Sequence, residues 1–347
     1  MKVGIIAANN IRYSPYIFYY KNILDELGVS YDLILPNRSN VEDDFDHPVH
    51  ILKWNRNLPA AFSYLFYSSS VKKIVEREKY DLLIVLTMNN AVYLARWLKK
   101  KYLQKYILDI RDYTHENLSW YYYLEKIAVN NSLLNVISSK KFTAFLPSGK
   151  YLTCHNISSF RIPSVPNLNR NTPITISYIG KGGYLDNCVK ICEEVSKDNR
   201  FRFEFYGLEC VPDELKKFEE CANISFNGVF MPKDKESILL KSDILFNVYG
   251  NGTPLLDYAL SNKLYDSFMY RKPILTSPHT YMSEIAGPFA FDVDICSPIS
   301  LDKLFQWYSK LDFSILDKYA ITKLSEIKEE SERTINFIKE SIRNGIG

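Results

Sequence analysis

Short apolar runs of strand length alternate with amphipathic stretches of helix length along the chain. Residues 2–8 and 81–86 are almost continuously apolar, which is typical of parallel strands covered on both faces. In residues 1–165 this pattern predicts strands at 2–8, 31–35, 49–52, 81–86, 105–109, 133–137 and 151–154, with helices at 14–28, 62–78, 91–101 and 118–130. An acidic loop is predicted at 41–46. Such alternation predicts an α/β fold with a doubly wound parallel sheet.

The alternation stops at a proline- and asparagine-rich stretch, 161–173, which we interpret as a linker, and then restarts. Strands are predicted at 174–179, 201–206, 224–226, 243–248 and 273–276, helices at 184–197, 213–221, 234–241 and 260–270, and a long charged helix at 317–344. We therefore expect domains over 1–165 and 173–312 that face a central cleft. The segment 313–347 is expected to pack back on the first domain.

Composition narrows the class of protein. The length of 347 residues suits two domains, and 46% hydrophobic with 24% charged residues is typical of globular proteins. The six cysteines contain no C-x-x-C pair, which argues against a zinc site. No apolar run approaches the roughly 18 residues of a membrane span, and the N-terminus resembles a strand more than a signal peptide. A cytoplasmic protein is expected, with the inner face of the cell membrane as an alternative location.

The charge is unevenly distributed. Residues 1–165 carry a net charge of +7 and the remainder −4. A basic half favours an anionic partner, either a membrane or a nucleic acid, although a solvated basic face explains it equally well. The lysines are spread over several helices without a recognised nucleic-acid-binding module, so we expect no nucleic-acid partner.

Glycines, amides and lysines follow four consecutive predicted strands of the second half. The carboxyl ends of such strands meet at the edge where α/β sheets bind ligands. Glycines there let backbone N–H groups approach an anion, and a helix N-terminus beside a lysine favours phosphate. The alternative for the helix near residue 262 is an ordinary ion pair between Lys263 and Asp266. The candidate binding residues are Gly180, Lys181, Gly182, Tyr206, Val229, Tyr249, Gly250, Asn262, Lys263 and Asp266.

Two segments carry a family resemblance. DILFNVYG at 243–250 and SNKLYDSFMYRKPILTS at 261–277 resemble the donor-binding half of GT-B glycosyltransferases. The resemblance is to the GT4-like bacterial enzymes of capsular and O-antigen polysaccharide assembly, which carry an (S/P)-N-K-x-Y-E segment followed by G-K-P. It implies two Rossmann-like domains, the first binding the acceptor and the second binding a nucleotide-sugar donor. Arg271 replaces the usual glycine, and the family's E-x7-E pair is incomplete.

The resemblance also implies roles for single residues. Lys263 falls near the donor diphosphate, and Lys181 falls in the loop whose amides meet that diphosphate. Asp266 stands where the family usually has a glutamate that binds the ribose, and it is one methylene shorter. Val229 matches a backbone position that contacts the nucleobase. A UDP-sugar is the expected donor, with no cofactor and no metal.

In the first half, Asp112 and His115 follow the predicted strand 105–109. A carboxylate and an imidazole at this spacing provide a general base or orient an acceptor hydroxyl, which makes them the candidate catalytic residues. The alternative is that they cap the next helix.

Aromatic and basic residues alternate in three helical segments, 62–73, 97–101 and 120–123. Such segments suit a membrane interface, and the alternative is that the aromatic residues form core. The expected partners are the nucleotide-sugar donor, a saccharide or lipid-linked saccharide acceptor and a membrane surface, with a homo-oligomer left open.

With this resemblance the sequence predicts a glycosyltransferase of surface polysaccharide assembly, and the resemblance further implies a hexosyltransferase that retains the anomeric configuration. Lys181, Lys263 and helix dipoles are expected to meet the diphosphate charge in place of Mg²⁺. Two alternatives remain: a non-catalytic GT-B partner subunit, and an enzyme similar to sugar-nucleotide 2-epimerases.

Overall fold

The computed structural model describes residues 1–38, 45–157, 163, 167–169 and 172–344. The chain divides into two compact units, unit 1 with Met1–Ser158 and Glu329–Gly347, and unit 2 with Ser159–Lys328. The predicted acidic loop at 41–46 and the predicted linker at 161–173 lie largely outside the described residues.

Unit 1 contains a seven-stranded parallel sheet with the strand order β3-β2-β1-β4-β5-β6-β7. Apolar side chains of β1, β2 and β4 form its core, where Ile5 lies beside Leu33 and Ile84. The elements are β1 (Lys2–Ile6), α1 (Ile17–Glu26), β2 (Ser30–Asn37), β3 (Val49–Lys53), α2 (Ala60–Glu78), β4 (Leu82–Leu86), α3 (Met88–Lys101), β5 (Tyr106–Ile110), α4 (Ser119–Asn131), β6 (Leu134–Ile137) and β7 (Tyr151–Thr153).

Unit 2 contains a six-stranded parallel sheet with the order β10-β9-β8-β11-β12-β13. Aromatic side chains dominate its core, among them Phe203, Phe205 and Phe246. The elements are β8 (Ile174–Ile179), α5 (Leu185–Val195), β9 (Phe201–Tyr206), β10 (Ile224–Phe226), α6 (Lys235–Lys241), β11 (Ile244–Asn247), α7 (Pro254–Tyr258), α8 (Asn262–Tyr270), β12 (Ile274–Thr276), α9 (Tyr281–Ala286), β13 (Ala290–Asp292) and α10 (Leu301–Lys310).

Helix α11 (Phe313–Arg343) begins in unit 2, four residues before the predicted start. Its residues from Glu329 onward belong to unit 1. There Thr334 Oγ1 donates to the Thr153 carbonyl at 2.7 Å, and Glu330 Oε2 lies 3.0 Å from His155 Nε2.

Two predicted helices are corrected. Helix α1 begins at Ile17 rather than at residue 14, because a 3-10 turn at Ile11–Tyr13 precedes it and the Ser14 N–H donates to the Ile11 carbonyl. The helix predicted at 213–221 is a 3-10 helix at Asp213–Phe218. Neither change alters the class, and the predicted α/β fold with two doubly wound parallel sheets is confirmed.

The strand order reverses between β8 and β11 in unit 2. The loops that follow these two strands therefore diverge and leave a crevice at the carboxyl edge of the sheet, which is where open α/β sheets bind ligands.

Candidate functional site

The loop after β8 is shaped by Tyr178 beneath it. The Tyr178 hydroxyl accepts the Gly182 N–H at 3.0 Å and donates to the Gly183 carbonyl at 3.1 Å. A Cβ on Gly180 would lie 3.0 Å from that hydroxyl, and Gly182 has a φ of +94°. The glycines are therefore required by the close approach and by the backbone conformation.

The loops after β8, β9 and β10 contact one another. The Gly207 N–H donates to the Gly228 carbonyl at 2.7 Å, and a Cβ on Gly207 would lie only 2.6 Å from the Gly180 carbonyl oxygen. Three of the four glycine-bearing strand ends singled out in the sequence thus meet at one edge of the sheet.

Lys263 projects from the first turn of α8 into a set of tyrosines. Its Nζ donates to the Tyr249 hydroxyl and lies 5.2 Å from the centroid of that ring and 5.7 Å from that of Tyr178. Tyr249 in turn stacks on Tyr184, with centroids 4.3 Å apart and planes 19° apart. Burial lowers the pKa of Lys263 to about 8, although the negative charge of Asp266 opposes that shift. An ammonium at this distance from ring faces is stabilised by cation–π attraction.

Asp266 lies one turn further along α8 and is 6% exposed. Both of its carboxylate oxygens are 2.8 Å from Lys235 Nζ. Burial raises the pKa of Asp266, and the charge of Lys235 opposes the shift. Among the described residues no ion pair joins Lys263 to Asp266, so the ordinary ion pair that the sequence left open is not formed.

The other candidate binding residues occupy the same strand ends with different surroundings. Tyr206 donates its hydroxyl to Glu204 Oε2 at 2.5 Å, two residues back on its own strand. The Gly250 N–H donates to Ser277 Oγ at 2.8 Å, which ties the loop after β11 to the end of β12. Val229 is 66% exposed, and Lys181 and Asn262 are exposed.

Helix α8 begins without a side-chain cap. Its N-cap residue Ser261 instead donates its hydroxyl to Asn247 Oδ1 at 2.6 Å. The first-turn N–H groups of α8 therefore have no side-chain acceptor from Ser261, and they lie beside Lys263 at the positive end of the helix.

In unit 1, Asp112 and His115 follow β5 and are both exposed. Desolvation by the surrounding protein raises the pKa of Asp112, and the positive charge of Arg111 opposes this shift. His115 contacts the ring of Tyr121 edge-on at 5.5 Å. Within the described part of the chain no hydrogen bond joins Asp112 to His115. Nor does either cap α4, whose N-cap residue is Leu118.

A buried ion pair fixes the end of β5 just before Asp112. Arg111 donates to Asp109 Oδ2 at 2.7 Å and to the Cys154 carbonyl at 2.9 Å, and Tyr20 donates to the same Asp109 oxygen at 2.6 Å. Because Asp109 and Arg111 are buried and hydrogen-bonded, they fix the backbone position from which the loop with Asp112 begins.

Two glutamates near this loop were missed by sequence reasoning. Glu116 accepts the Thr114 N–H at 2.6 Å, and burial raises the pKa of Glu116. Glu125 is fully buried on α4, and neither of its oxygens has a hydrogen-bond partner among the described residues. Burial, with the charge of Glu116 adding to it, raises the pKa of Glu125 to about 9.

One cluster in the described residues has the composition of a metal site. Ligand atoms of Asp32, His50 and Glu78 lie within 4.8 Å of one another. Lys2 Nζ contacts Asp32 at 2.8 Å and Glu78 at 2.9 Å, and Tyr80 donates to Asp32 at 2.7 Å. The cation of this cluster is thus an ammonium group, and the cluster is an ion-pair network.

The chain has two doubly wound parallel sheets, and in the second sheet glycine-bearing strand ends surround a lysine. This arrangement identifies the fold as GT-B. Residues 6–139 match the model of the family described as glycosyl transferase 4-like. The resemblance to GT4-like GT-B glycosyltransferases that residues 243–277 indicated is confirmed.

Solved structures share the fold along nearly the whole chain. Sucrose-phosphate synthase from Thermosynechococcus elongatus has a TM-score of 0.73 at 9% identity, over 99% of this chain and 100% of its own. HepE of Anabaena, solved in complex with UDP-glucose, has a TM-score of 0.65 at 10% identity, over 97% and 99%. The lipopolysaccharide outer core galactosyltransferase WaaB has a TM-score of 0.63 at 12% identity, over 98% and 100%. No curated protein matches the sequence.

Proposed function

We propose that this protein is a glycosyltransferase that moves a sugar from a nucleotide-diphosphate sugar to a saccharide or lipid-linked saccharide acceptor in surface polysaccharide assembly. The observation that carries the proposal is the placement of Lys263. Its ammonium lies among Tyr178 and Tyr249, next to the glycine loop after β8 and at the reversal of strand order in unit 2.

The chemistry required of unit 2 is stabilisation of a leaving diphosphate. Negative charge grows on that group as the bond to the anomeric carbon breaks, so fixed positive groups lower the barrier. Lys263 and the positive end of α8 supply such groups without any reorganisation, and Lys181 adds a charge from the exposed loop. The donor is a UDP-sugar in this proposal, in keeping with the UDP-glucose bound to HepE.

Unit 1 would supply the acceptor side. Asp112 and His115 are exposed and have no hydrogen bond to each other within the described residues, so both remain accessible to an acceptor hydroxyl. Metal-independent transfer of a hexose with retention of configuration completes the proposal.

Membrane contact through unit 1 is part of the same proposal. No helix in the described residues is long and apolar enough to cross a membrane. Helix α2 exposes Phe62, Leu65 and Phe66 at 55%, 52% and 63%, on one stripe at i, i+3 and i+4, and α4 exposes Trp120 and Tyr123 at 50% and 57%. Large apolar side chains with nearby lysines suit the interface of an anionic bilayer on the cytoplasmic side.

A donor panel tests the function. The purified chain is incubated with UDP-, GDP- and ADP-sugars, with and without saccharide acceptors, and nucleotide release is measured. We expect UDP release from at least one UDP-sugar, faster with an acceptor present. Binding without release under all conditions would favour the non-catalytic subunit, and no binding of any nucleotide sugar would overturn the proposal.

A further inference from the structure

An arginine stacked on aromatic rings lies at the carboxyl edge of the sheet in unit 1. Arg38 directly follows β2, and Trp54 directly follows β3. The parallel register pairs Asn37 with Lys53, the last residues of these two strands, so the residues that come next are neighbours as well. The Arg38 Cζ lies 3.8 Å from the centroid of the Trp54 ring and 5.0 Å from that of Tyr64 on α2.

Aromatic packing and the backbone hold this arginine in place. Tyr64 lies edge-on to Trp54, with ring centroids 5.1 Å apart, and it is stacked on Tyr93 of α3, with centroids 5.2 Å apart and planes 7° apart. The Arg38 N–H donates to Asn10 Oδ1 at 3.0 Å. A guanidinium over ring faces is stabilised by cation–π attraction, so the position of this cation is set before any ligand arrives.

The side-chain donors of Arg38 are not used by the described part of the chain. A guanidinium has five N–H donors in a planar fork. In Arg38 none of them has a hydrogen-bond or ion-pair partner among the described residues; Nε is buried, whereas the side chain as a whole is partly exposed. Arg111, at the end of β5, is instead bonded to Asp109 and to the Cys154 carbonyl. Arg38 therefore has donors available for a ligand.

A second arginine adds positive charge at the same place. Arg56 donates to the Arg38 carbonyl, is exposed, and forms no ion pair with any residue that the structure describes. The planar fork of an arginine matches the oxygens of a carboxylate or a phosphate, and such charge-assisted contacts are stronger than those between neutral groups. The ends of β2 and β3 are thus suited to an oxyanion.

The sheet places these arginines and the candidate catalytic loop on one edge. Asp112 and His115 follow β5, and the carboxyl ends of all strands of a parallel sheet lie at the same edge. In the order β3-β2-β1-β4-β5, three strand spacings separate β2 from β5. At about 4.8 Å each, these spacings correspond to roughly 14 Å. A saccharide of several rings spans such a distance, with a charged group at Arg38 and a hydroxyl at Asp112.

We propose that Arg38, assisted by Arg56, binds an oxyanion of the acceptor, and that the acceptor is therefore an acidic saccharide whose charged group is a carboxylate or a phosphate. Arg38 is the specificity-determining residue of this site, because it distinguishes an acidic from a neutral saccharide. This inference rests on the proposed function, since it places the acceptor on unit 1.

The test is titration of the full chain, without donor, with glucuronic acid, glucose 6-phosphate and glucose, followed by saturation-transfer NMR. A hydrogen bond to a charged group corresponds to about tenfold in affinity, so at least one acidic probe should bind about tenfold more tightly than glucose. The two acidic probes distinguish a carboxylate from a phosphate. In Arg38→Met, whose unbranched side chain still packs on Trp54, both should bind as weakly as glucose. Arg38→Lys, which keeps the charge but not the fork, should lie between.

Arg96→Met is the matched control. Arg96 is exposed on α3, forms no ion pair within the described ranges, and lies about 12 Å along the helix from its first residue at the carboxyl edge. All three affinities should stay at wild-type values in this variant. If Arg38→Met is too unstable to titrate, Arg56→Met replaces it and should weaken the binding of the acidic probes about threefold.

Three results would overturn the inference: equal binding of the acidic probes and glucose by the wild-type chain, no binding of any probe, or an acidic preference that Arg38→Met retains. None of the probes contains a nucleotide, so each of these results leaves the proposed function standing. Failure of every nucleotide sugar in the donor panel would overturn the proposed function, and an acidic preference that depends on Arg38 would then belong to an anion site with another ligand.

Discussion

The candidate residues of the two units differ in how their charges are held. In unit 2 Lys263 is partly buried and bonded to Tyr249, and Asp266 is buried and bonded to Lys235. In unit 1 Asp112 and His115 are exposed, and in the described residues neither bonds to the other. A buried charge needs a partner in the protein, whereas an exposed charge is solvated by water. The charges of unit 2 are therefore stabilised by other side chains, and those of unit 1 by solvent.

The difference bears on function. A site for a diphosphate gains from positive groups that are fixed before the ligand arrives, because no reorganisation is then required. A group that must contact a variable acceptor hydroxyl has to remain accessible. Substitutions in each unit therefore distinguish a role in donor binding for unit 2 from a role in transfer for the loop of unit 1.

The largest effect is expected for Asp112→Asn. If Asp112 serves as the base or orients the acceptor, kcat should fall by about 100-fold while the donor KM stays unchanged. Steady-state kinetics with a fixed acceptor measure both constants. Glu340→Gln removes an exposed carboxylate from the unit 1 part of α11 and should behave as wild type. A kcat for Asp112→Asn within a factor of two of wild type would remove the catalytic assignment from this loop.

Lys263→Met tests unit 2 and should affect the binding of the donor. The loss of a charge-assisted contact with the diphosphate should raise the donor KM by about 30-fold, equivalent to roughly 2 kcal/mol. Lys216→Met, which removes an exposed lysine of the same unit, is the control. If the acceptor KM changed and the donor KM did not, the assignment of the two units would be reversed.

Glu125→Met tests a buried carboxyl group that has no hydrogen-bond partner among the described residues. Because the pKa of Glu125 in the folded chain is about 9, above the ordinary value of 4.5, the folded state binds the extra proton between these pH values. Below pH 4.5 the ionisation of Glu125 therefore costs no free energy of unfolding. As the pH rises from 4.5 towards 9, this residue lowers the free energy of unfolding progressively. At pH 7 the variant should be more stable by on the order of 2 kcal/mol.

Denaturant unfolding at pH 5 and pH 8 measures that gain, which should be larger at pH 8. Glu340→Met, at an exposed position of α11, should show no such pH dependence. An equal effect of Glu125→Met at both pH values would mean that Glu125 is ionised, and so solvated, in the folded protein.

The smallest effect concerns pH and donor affinity. The pKa of Lys263 is about 8, so its ammonium is lost as the pH rises above that value. Donor affinity should then fall by at most about tenfold per pH unit, since one proton is linked to binding. In Lys263→Met this component should be absent, and the difference between the two proteins removes any titration of the ligand itself. A wild-type profile parallel to that of Lys263→Met would contradict a role for the ammonium.

Much of the fold was predictable because buried parallel strands are apolar runs. The strands predicted at 174–179, 201–206 and 224–226 coincide with β8, β9 and β10. The 3-10 helix at Asp213–Phe218 was predicted as an α-helix, since its amphipathic pattern over so short a segment suits both.

The site was predictable in outline but not in its contacts. Residue types and strand ends were sufficient to single out Lys263 and Asp266. The partner of Asp266 is 31 residues away in the sequence, and it becomes a neighbour only through the packing of α6 on α8. Glu125 follows three tyrosines and a leucine and precedes a lysine, and glutamate is rarely fully buried, so nothing in the sequence marked it as a core residue.

The central claim is that Lys263 and the loops around it bind the donor diphosphate. A crystal structure of the full chain with UDP tests it most directly. We expect Lys263 Nζ within hydrogen-bonding distance of a diphosphate oxygen, beside the glycine loop after β8, and the ribose at Asp266. A UDP molecule bound elsewhere, with Lys263 still bonded only to Tyr249, would contradict the account.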